Sequence, residues 1–596
     1  MPRTRILLFL LCALRVFGDK TFNHNVFLDS EENVQLFWNV EDDTIIFEVR
    51  ANTTGYVGIG LNSNGGMKGA DIMMAWVVDG TPFISDRHGI GNEEPKVDTL
   101  EDYEMLYGSE ADGLTTIGYQ RKLVTCDVND YDITSDTVRV IWSYHPDDPE
   151  RTTAAYHGPQ RRGVKSVVII DVGSSKVNEL PEGTESFDIL MDNVLVPEDT
   201  ATTYWANHRE IPELATPHHV IRIEPIVQPG NEGIVHHLVL KECYGLTNIT
   251  GNRSLHYFDA MYKYSACSKM IYAWAVGGGP LEFPENVGYK IAGEDPVKFL
   301  QLTIHYNNAQ LRKGVYDNSG VRIYYTSNIQ QYDSSMLTVG VSTSKFFPIP
   351  PKQDAFPVYG ACTTRCLKEL LTEGDMKIFG VFLHAHLAGV GIRATHYRNG
   401  KYIGEISKDS TYDFDLQEIR YLKEPWIVKP EDDLLVECTY NTMGRTNVTY
   451  GGLATSEEMC LAFLFYYPKA NAGKCYSIPQ PSTLEENLNL GVTKNIKSFS
   501  EALQKLDWTT ERVDILGKWW KEAPRMSCCT NHSGHNAFHE DEFVEEMRRY
   551  GYVETKSLDN LIDIQNEIVE ENKCSRSTSS KGSLFTVFIL AILPFI

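Results

Sequence analysis

The sequence has little helical periodicity, no heptad repeat and no glycine-rich loop of the kind that binds phosphate. The first two absences argue against a coiled coil, and the third gives no support to a nucleotide-binding fold. Basic residues are also few, since 55 lysines and arginines against 80 acidic residues give a formal net charge of -25. A chain of this charge repels a phosphate backbone, so we expect no nucleic-acid partner.

The C-terminus has no apolar run long enough to form an ordinary membrane-spanning helix. Leu584–Ile596 is apolar over 13 residues, whereas a spanning helix needs about 20. The small polar stretch Ser575–Ser583 precedes it, which is typical of a lipid-anchor attachment signal, and a short tail anchor in a thin membrane is the alternative. In both cases we predict that residues 584–596 attach the chain to a membrane, either at the endoplasmic reticulum or as a lipid-anchored surface protein.

The N-terminus predicts entry into the lumen of the secretory pathway. Residues 1–18 combine Arg3 and Arg5 with the apolar run Ile6–Leu14 and a small residue at the expected cleavage point, which describes a signal peptide. Without Cys12 of this signal, eleven cysteines remain in an oxidising compartment, so disulfides are expected and one thiol is left over. N-glycosylation is predicted at five N-x-S/T sequences, at Asn52, Asn248, Asn252, Asn447 and Asn531.

The remaining pattern predicts a mainly β protein of about three or four domains. Val34–Val49 and Val138–Tyr144 are short, partly alternating segments with Gly and Asn turns between them, as in a β-sandwich. A Gly-, Pro- and Glu-containing linker near 171–184 and a Pro-rich break at Phe347–Lys352 separate such regions. We therefore predict β modules at residues 32–150, 184–345 and 346–480, followed by a partly helical appendage at 481–574.

Two short strings carry four histidines, VHHLVL at Val235–Leu240 and LHAHLAG at Leu383–Gly389. In a strand the i, i+2 spacing of the second pair aims both imidazoles at one side, where they can chelate an ion. Adjacent histidines of the first pair can share an ion only at a bulge or a strand end. A lone histidine is more often a core or surface residue, but a paired one inside an apolar strand favours a metal site.

Two more residues belong with these strings. His305, in FLQLTIHYNN, shares a strand face with Gln301 and Thr303, and a histidine on such a polar face can be a ligand. Met459, in SEEMCLAFLFYY, shares a face with apolar residues, and its pattern by itself predicts a core residue.

Taken in order, the series HH, H, HxH and EEMC is highly specific, and with it the chain resembles the copper type II, ascorbate-dependent monooxygenases. The match runs through nearly the whole chain, including TTGYVGIG, ADIMMAW, TTYW, EPIVQPGNEGIVHHLVL, HYNN, LHAHLAG and GGLATSEEMCLAFLFYYP. The resemblance implies that the N-terminal module is a DOMON-like β-sandwich and that the next two are jelly-roll β-sandwich copper modules.

The resemblance also implies two copper ions per chain, with ascorbate as the reductant. It assigns His236, His237 and His305 to one copper, and it assigns His384, His386 and Met459 to the other. Ligand chemistry agrees, because imidazole holds copper in both oxidation states and a soft thioether favours Cu(I). The family further marks Tyr204, in TTYW, and His384 as active-site residues, although a buried aromatic at the module edge is the plain alternative for Tyr204.

A second vicinal pair, His218 and His219 in ATPHHV, competes with the first by composition. The family places its ligands after the GNE turn, so we expect His218 and His219 to be structural or to support the ligands. A departure from the family is Ala206, where a cysteine usually follows TTYW; the usual partner of that cysteine is absent too. We interpret this as the loss of one whole disulfide.

The resemblance implies disulfides for the other cysteines of the mature chain. The implied pairs are Cys243 with Cys267, Cys438 with Cys460, Cys362 with Cys475, Cys366 with either Cys528 or Cys529, and Cys126 with Cys574. The cysteine left over from the adjacent pair could join two chains, so a homodimer stays open.

The expected function is hydroxylation of a C–H bond in a small organic substrate, for example a phenethylamine-like amine, with dioxygen and ascorbate. The expected partners are this substrate, dioxygen and a membrane. A copper-binding or electron-transfer protein without turnover is the alternative from another class. A zinc hydrolase is a third reading, which Met459 as a ligand disfavours.

Overall fold

The computed structural model describes residues 21–151, 153–170, 179–243, 251–255, 267, 269–292, 299–491, 495–530, 553–554, 558 and 561–562. The predicted signal peptide and the tail at 584–596 lie outside these residues, as do Asn248, Asn531 and Cys574. Within the described part of the chain, no helix is both long and apolar enough to cross a bilayer. The chain divides into two compact units, residues 1–134 with 138–169 and residues 135–137 with 170–596.

The first unit is a sandwich of two antiparallel sheets, with strand orders β1-β2-β3-β9-β8 and β11-β10-β4-β5-β6-β7. Alternate residues of β2 are buried, including Val34, Leu36 and Trp38, because successive side chains of a strand point to opposite faces. The strands are β1 His24–Phe27, β2 Val34–Glu41, β3 Thr44–Ala51, β4 Val57–Asn62, β5 Asp71–Val78, β6 Thr81–His88, β7 Lys96–Val97, β8 Glu104–Ala111, β9 Leu114–Lys122, β10 Thr137–Tyr144 and β11 Arg162–Val168.

A buried ion pair lies in this first unit. Arg121 on β9 pairs with Asp71 on β5, and the Tyr103 hydroxyl donates a 2.8 Å hydrogen bond to the same carboxylate. Both charged side chains are almost completely buried. Because a buried charge without a partner is strongly destabilising, loss of either member should weaken this sandwich by about 3 to 5 kcal/mol.

The second unit begins with another β-sandwich, the first module. Its larger sheets run β12-β23-β15-β20-β24 and β17-β14-β21-β16-β18, and the second of these carries His236, His237 and His305. The strands are β12 Glu185–Leu190, β13 Val194–Leu195, β14 Thr202–Glu210, β15 His218–Ile226, β16 Val235–Cys243, β17 Gly251–Leu255, β18 Lys269–Ala275, β19 Leu281–Glu282, β20 Val287–Ile291, β21 Phe299–Asn307, β22 Tyr316–Asp317, β23 Gly320–Thr326 and β24 Tyr332–Asp333.

The second module of this unit pairs a seven-stranded sheet, β31-β28-β34-β25-β35-β36-β37, with a four-stranded one, β27-β32-β29-β30. Its strands are β25 Ser335–Val341, β26 Pro348–Ile349, β27 Phe356–Cys362, β28 Met376–Ala385, β29 Gly389–Arg398, β30 Lys401–Asp409, β31 Ile419–Val428, β32 Asp432–Tyr440, β33 Thr449–Tyr450, β34 Cys460–Tyr467, β35 Lys474–Pro479, β36 Arg525–Thr530 and β37 Val553–Glu554. Strand β25 pairs with β34 of this module, although it lies before the boundary predicted between residues 345 and 346. The module therefore begins earlier than the Pro-rich break predicted.

Four helices lie in the described residues, α1 Thr364–Leu370, α2 Pro481–Asn487, α3 Ile496–Gln504 and α4 Thr510–Glu522. The last three belong to the appendage, which is partly helical as predicted. Asn495 forms a reciprocal capping box with Ser498 at the start of α3, and Thr509 caps α4, so each helix begins where its first backbone N–H groups find an acceptor. Strands β36 and β37 extend the large sheet, which joins the appendage to the second module.

One apolar cluster is shared by the two modules, beside the separate core of the second module. Ile271 and Trp274 of β18 belong to the same buried cluster as Phe379, Phe463 and Phe465 of β28 and β34. Burial of aromatic and aliphatic surface between the sheets is the main force available to hold the modules together. This packing places the histidine-bearing face of one module against that of the other.

Four disulfides are present among the described residues, joining Cys243 with Cys267, Cys362 with Cys475, Cys366 with Cys529 and Cys438 with Cys460. Three are pairs that the resemblance implied, and the fourth chooses Cys529 over Cys528. Cys126 is exposed, and its predicted bridge to Cys574 stays a prediction because Cys574 is outside the described residues. Of the predicted glycosylation sites, Asn52 and Asn447 are exposed and Asn252 lies in β17.

Candidate metal centre

Three imidazoles of the first module converge on one point. The Nδ1 atom of His237 lies 3.2 Å from Nδ1 of His236 and 3.3 Å from Nδ1 of His305. All three residues offer a ring nitrogen within 4.8 Å of the others. His237 and His305 are opposite each other on β16 and β21, so ordinary strand pairing brings these two together.

A β-bulge adds the third imidazole. The register between β16 and β21 passes from Val235 opposite Tyr306 directly to His237 opposite His305, which leaves His236 as the extra residue. A bulge turns two successive side chains toward the same side of a sheet, which a regular strand does not allow. His236 and His237 therefore lie at a bulge, which is where adjacent histidines can bind the same ion.

Burial keeps this cluster neutral. It lowers the pKa of His236 to about 4, with repulsion from His384 as the second cause, and it also lowers the pKa values of His237 and His305. The Nε2 atoms of His236 and His305 are buried and have no hydrogen-bond partner in the part of the chain that the structure describes. Three neutral imidazoles with converging Nδ1 lone pairs form a ready ligand set for a cation.

Tyr204 flanks the same cluster. It is opposite His305 across β14 and β21, and its ring stacks on that imidazole with a centroid distance of 4.6 Å and an interplanar angle of 10°. Its hydroxyl donates a 2.7 Å hydrogen bond to the carbonyl of Leu453 in the second module. Tyr204 is thus more than a buried aromatic at the module edge, because it joins a histidine of one module to the backbone of the other.

The second cluster contains His384 and His386, whose ring centroids lie 5.2 Å apart. Gln417 Oε1 accepts a 2.7 Å hydrogen bond from His384 Nδ1, and Gln417 Nε2 donates in turn to the Phe414 carbonyl, which fixes the amide orientation. His386 donates from Nδ1 to the Glu457 carbonyl over 3.0 Å. Burial lowers the pKa of His384 to about 4 and that of His386 to about 3.

Met459 lies beside the second cluster by register. Ala385 is opposite Cys460 across β28 and β34, so the next residue on each strand brings His386 opposite Met459. The Met459 side chain is half-buried against the shared core. The adjacent Glu458 accepts backbone N–H bonds from His386 at 2.9 Å and Ala388 at 2.7 Å, and so holds this stretch of chain in place.

The two clusters face each other across the module boundary. The ring centroids of His237 and His384 are 6.2 Å apart, and Phe414 of the second module stacks on His236 with a centroid distance of 4.1 Å. The structure therefore brings five imidazoles from the two modules into one neighbourhood.

Sequence reasoning missed three residues of this neighbourhood, Phe414, Gln417 and Glu458. The first two lie in the loop between β30 and β31 and follow no recognisable spacing. Glu458 had a signal, because a second acidic residue directly precedes Met459 in EEMC. His218 and His219 lie elsewhere, where His219 is buried and pairs with Asp333 at 2.8 Å, so this pair has a structural setting.

Comparison with known proteins assigns the family. Residues 187–313 and 332–488 match the N-terminal and C-terminal domains of the copper type II ascorbate-dependent monooxygenases, and residues 30–145 match the DOMON domain. The human protein named DBH-like monooxygenase protein 1 is 36% identical over 515 residues, which cover 82% of this chain and 83% of the relative. The chain belongs to the copper type II, ascorbate-dependent monooxygenase family.

Other members of this monooxygenase family are similar at comparable length. DBH-like monooxygenase protein 2 of Mus musculus is 35% identical over 87% of this chain and 84% of its own. Dopamine beta-hydroxylase of Canis lupus familiaris is 30% identical over 79% of this chain and 76% of its own. These likenesses imply copper and ascorbate as cofactors of the family.

The residues of the two clusters fit copper. The first offers three neutral imidazoles whose Nδ1 atoms converge. The second offers two imidazoles oriented by hydrogen bonds to other groups, next to a methionine thioether. Imidazole suits copper in either oxidation state and thioether suits Cu(I), so the donor sets agree with the family cofactor.

Proposed function

We propose that this protein is a monooxygenase that uses dioxygen and ascorbate to hydroxylate a C–H bond of a small organic substrate. The observation that carries the proposal is the pair of histidine clusters facing each other in one unit, with 6.2 Å between the His237 and His384 rings. A carrier needs one ligand set, whereas a monooxygenase of this family needs two electrons and a place for oxygen and substrate. Two adjacent ligand sets supply this arrangement.

Each cluster would hold one copper ion. His236, His237 and His305 would bind through Nδ1, and His384, His386 and Met459 would form the other site. Bound copper supplies the one-electron redox chemistry and the oxygen activation that side chains lack. The chain itself contributes ligand orientation, since the Gln417 amide fixes the tautomer of His384 and the Glu457 carbonyl fixes that of His386.

Aromatic groups limit the access of water to the clusters. Phe414 covers His236, and Tyr204 covers His305 while bonding to the second module. A dry site strengthens electrostatic interactions and protects reactive species from side reactions. Tyr204 acts here as a positioning residue, because it contacts a ligand ring and the opposite backbone together.

The surroundings favour a small aromatic amine as substrate. The rings of Phe382 and Phe463 lie 6.1 and 6.2 Å from that of His384, which gives an apolar aromatic wall beside the second cluster. Burial raises the pKa of Tyr204, and the Glu457 carboxylate raises it further. A negative charge therefore lies close to Tyr204. An aromatic ring with an ammonium group, as in a phenethylamine, matches such a wall and charge.

We also propose that the protein lies in the lumen of the secretory pathway and is attached to a membrane through residues 584–596. The proposed assembly is a homodimer. The exposed side chains of Asn52 and Asn447 support glycan attachment in that compartment. Cleavage of a surface-expressed chain by a phospholipase specific for lipid anchors would distinguish the lipid anchor from a tail anchor.

The test of the enzymatic proposal is oxygen uptake by copper-loaded protein with ascorbate and a panel of amines, peptides and phenols. We expect substrate-dependent oxygen consumption coupled to ascorbate oxidation. His384→Ala should abolish it, and His218→Ala is the matched control because that histidine lies outside both clusters. A protein that ascorbate reduces once and that then stops consuming oxygen with every substrate would be a carrier, and the proposal would be wrong.

A further inference from the structure

Two lysines on the facing surfaces of the modules have no carboxylate partner among the described residues. Lys241 on β16 and Lys474 on β35 are both half-buried. In the described part of the chain, neither ammonium group forms an ion pair with a carboxylate. After burial, the group that shifts the pKa of Lys241 is Lys474, and the group that shifts the pKa of Lys474 is the Cys528 thiol, which raises it. By contrast, the buried Lys269 of this unit is paired with Glu242 at 2.9 Å.

Strand alternation turns Lys241 toward the second module. His237, Val239 and Lys241 follow at intervals of two residues along β16, and the pairing with β21 is regular from His237 to Cys243. Residues at this interval share a face. That face looks at the second module, because the His237 ring lies 6.2 Å from that of His384. Glu242 points the other way and pairs with Lys269.

The same alternation turns Lys474 toward the first module. Cys475 points into the core of its own module, where it is bonded to Cys362. Lys474 and Tyr476 therefore occupy the opposite face of β35, and Tyr476 packs against the core that the two modules share. Repulsion between the two ammonium groups is the second cause, after burial, of the lowered pKa of Lys241, which is about 8.

Hydroxyl groups lie around the lysine pair. Tyr476 forms a hydrogen bond with the side chain of Thr338, which is opposite Lys474 across β25 and β35. Thr303, on the face of β21 next to Val239, has a buried hydroxyl that finds no hydrogen-bond partner among the described residues. Two cations and several hydroxyls between two packed sheets form a setting that an anion would complete, because like charges taken out of water are unstable without compensation.

We propose that Lys241 and Lys474 form a binding site for a small organic anion between the two modules. The shared chemistry is a delocalised oxyanion, as in a carboxylate or in the enediol of ascorbate, which is a monoanion at neutral pH. The choice of ascorbate rests on the proposed function, whereas the anion site itself does not. Four residues of strand separate Lys241 from His237, which is about 13 Å along β16, so the anion would lie on the face that carries the first cluster.

The experiment is calorimetric titration of the metal-free protein, under argon, with ascorbate, with malonate and with the neutral L-gulono-1,4-lactone. We expect an anion to bind and the lactone not to bind. Lys241→Met and Lys474→Met should each weaken anion binding about tenfold or more, because each removes a charge-assisted contact. Lys313→Met is the control, since the side chain of Lys313 is 80% exposed, and Lys241→Arg should retain binding.

Ligand preference identifies the source of the anion. Lysine-dependent binding of ascorbate assigns the site to the reductant, and lysine-dependent binding of malonate alone assigns it to a carboxylate. Without ligand, Lys474→Met should melt at the same or a higher temperature, since it removes a desolvated charge, and this reports that the variant folds. The proposal is overturned if neither anion binds or if both methionine variants bind like the wild type. Because no copper or turnover is involved, either result is independent of the oxygen-uptake test.

Discussion

The two histidine clusters use the same side chain but hold it differently. In the first, His236, His237 and His305 lie on paired strands, and within the described chain the Nε2 atoms of His236 and His305 have no hydrogen-bond partner. In the second, His384 and His386 each donate from Nδ1 to a group outside their strand. Strand register thus sets the first ligand set, whereas loop contacts orient the second. The second should therefore be more sensitive to changes in its surroundings.

The largest effect should come from removing one ligand of either cluster. His305→Ala should lose the first copper and His384→Ala the second, because each leaves two of three ligands. Both should abolish turnover. Copper content after dialysis should fall from two equivalents to one in each variant, and electron paramagnetic resonance should show the signal of the other site unchanged. If either substitution empties both sites, the two clusters are not separate ligand sets.

The thioether of Met459 is a second difference between the two clusters. Met459→Ile replaces one apolar side chain by another of similar volume, so the fold should be kept, while turnover falls by more than about 100-fold, beyond the usual effect of an outer hydrogen-bond partner. Copper X-ray absorption of the reduced protein should show a sulfur scatterer that the variant lacks. Met336→Ile is the control, because Met336 is buried in the same core but is opposite Phe465 across β25 and β34 rather than opposite a histidine. An identical sulfur signal in both variants would exclude Met459 as a ligand.

Acid should weaken the metal-free protein through the imidazoles of both clusters. Burial lowers the pKa of His236 and of His384 to about 4 from the usual 6.5. The unfolded chain then binds more protons than the folded one between these values, so stability falls as the pH drops from about 6.5 to 4. For His236 the loss is on the order of 3 kcal/mol. Urea unfolding across this range should show the slope, and His236→Gln should reduce it; a flat profile would contradict burial of neutral imidazoles.

Gln417 provides a test confined to the second cluster. Gln417→Leu removes the acceptor for His384 Nδ1, and we expect copper affinity at that site to fall about 10- to 100-fold. The first cluster should keep its affinity. Gln417→Glu retains an oxygen acceptor and should restore most of the affinity, which a purely structural role for this residue would not predict. An equal loss at both sites would remove the proposed difference between the clusters.

The smallest effect is expected from Tyr204→Phe. The ring can still stack on His305, but the hydrogen bond to the Leu453 carbonyl is lost, which is worth about 1 kcal/mol. We expect thermal stability to fall slightly and copper binding at the first cluster to be unchanged. A loss of turnover far larger than this would mean that the hydroxyl has a direct role in the reaction.

Much of the site can be read from the sequence because its ligands occupy short strings with a fixed period. The two-residue spacing of His384 and His386 implies a shared face in any strand, and His305 stands on a polar face for the same reason. Alternation in β2 likewise predicted a half-buried strand of a sandwich, which the structure contains. Such features depend on neighbours along the chain, so local geometry determines them.

Tertiary structure alone decided how distant segments meet. The bulge at His236 depends on its pairing with β21, the start of the second module at β25 depends on its pairing with β34, and the choice of Cys529 over Cys528 depends on the face that β36 turns to α1. Phe414 and Gln417 reach the clusters from a loop without any periodic signal. The His237 and His384 rings lie 6.2 Å apart because burial of the shared core brings two sheets together, and no spacing in the sequence encodes that distance.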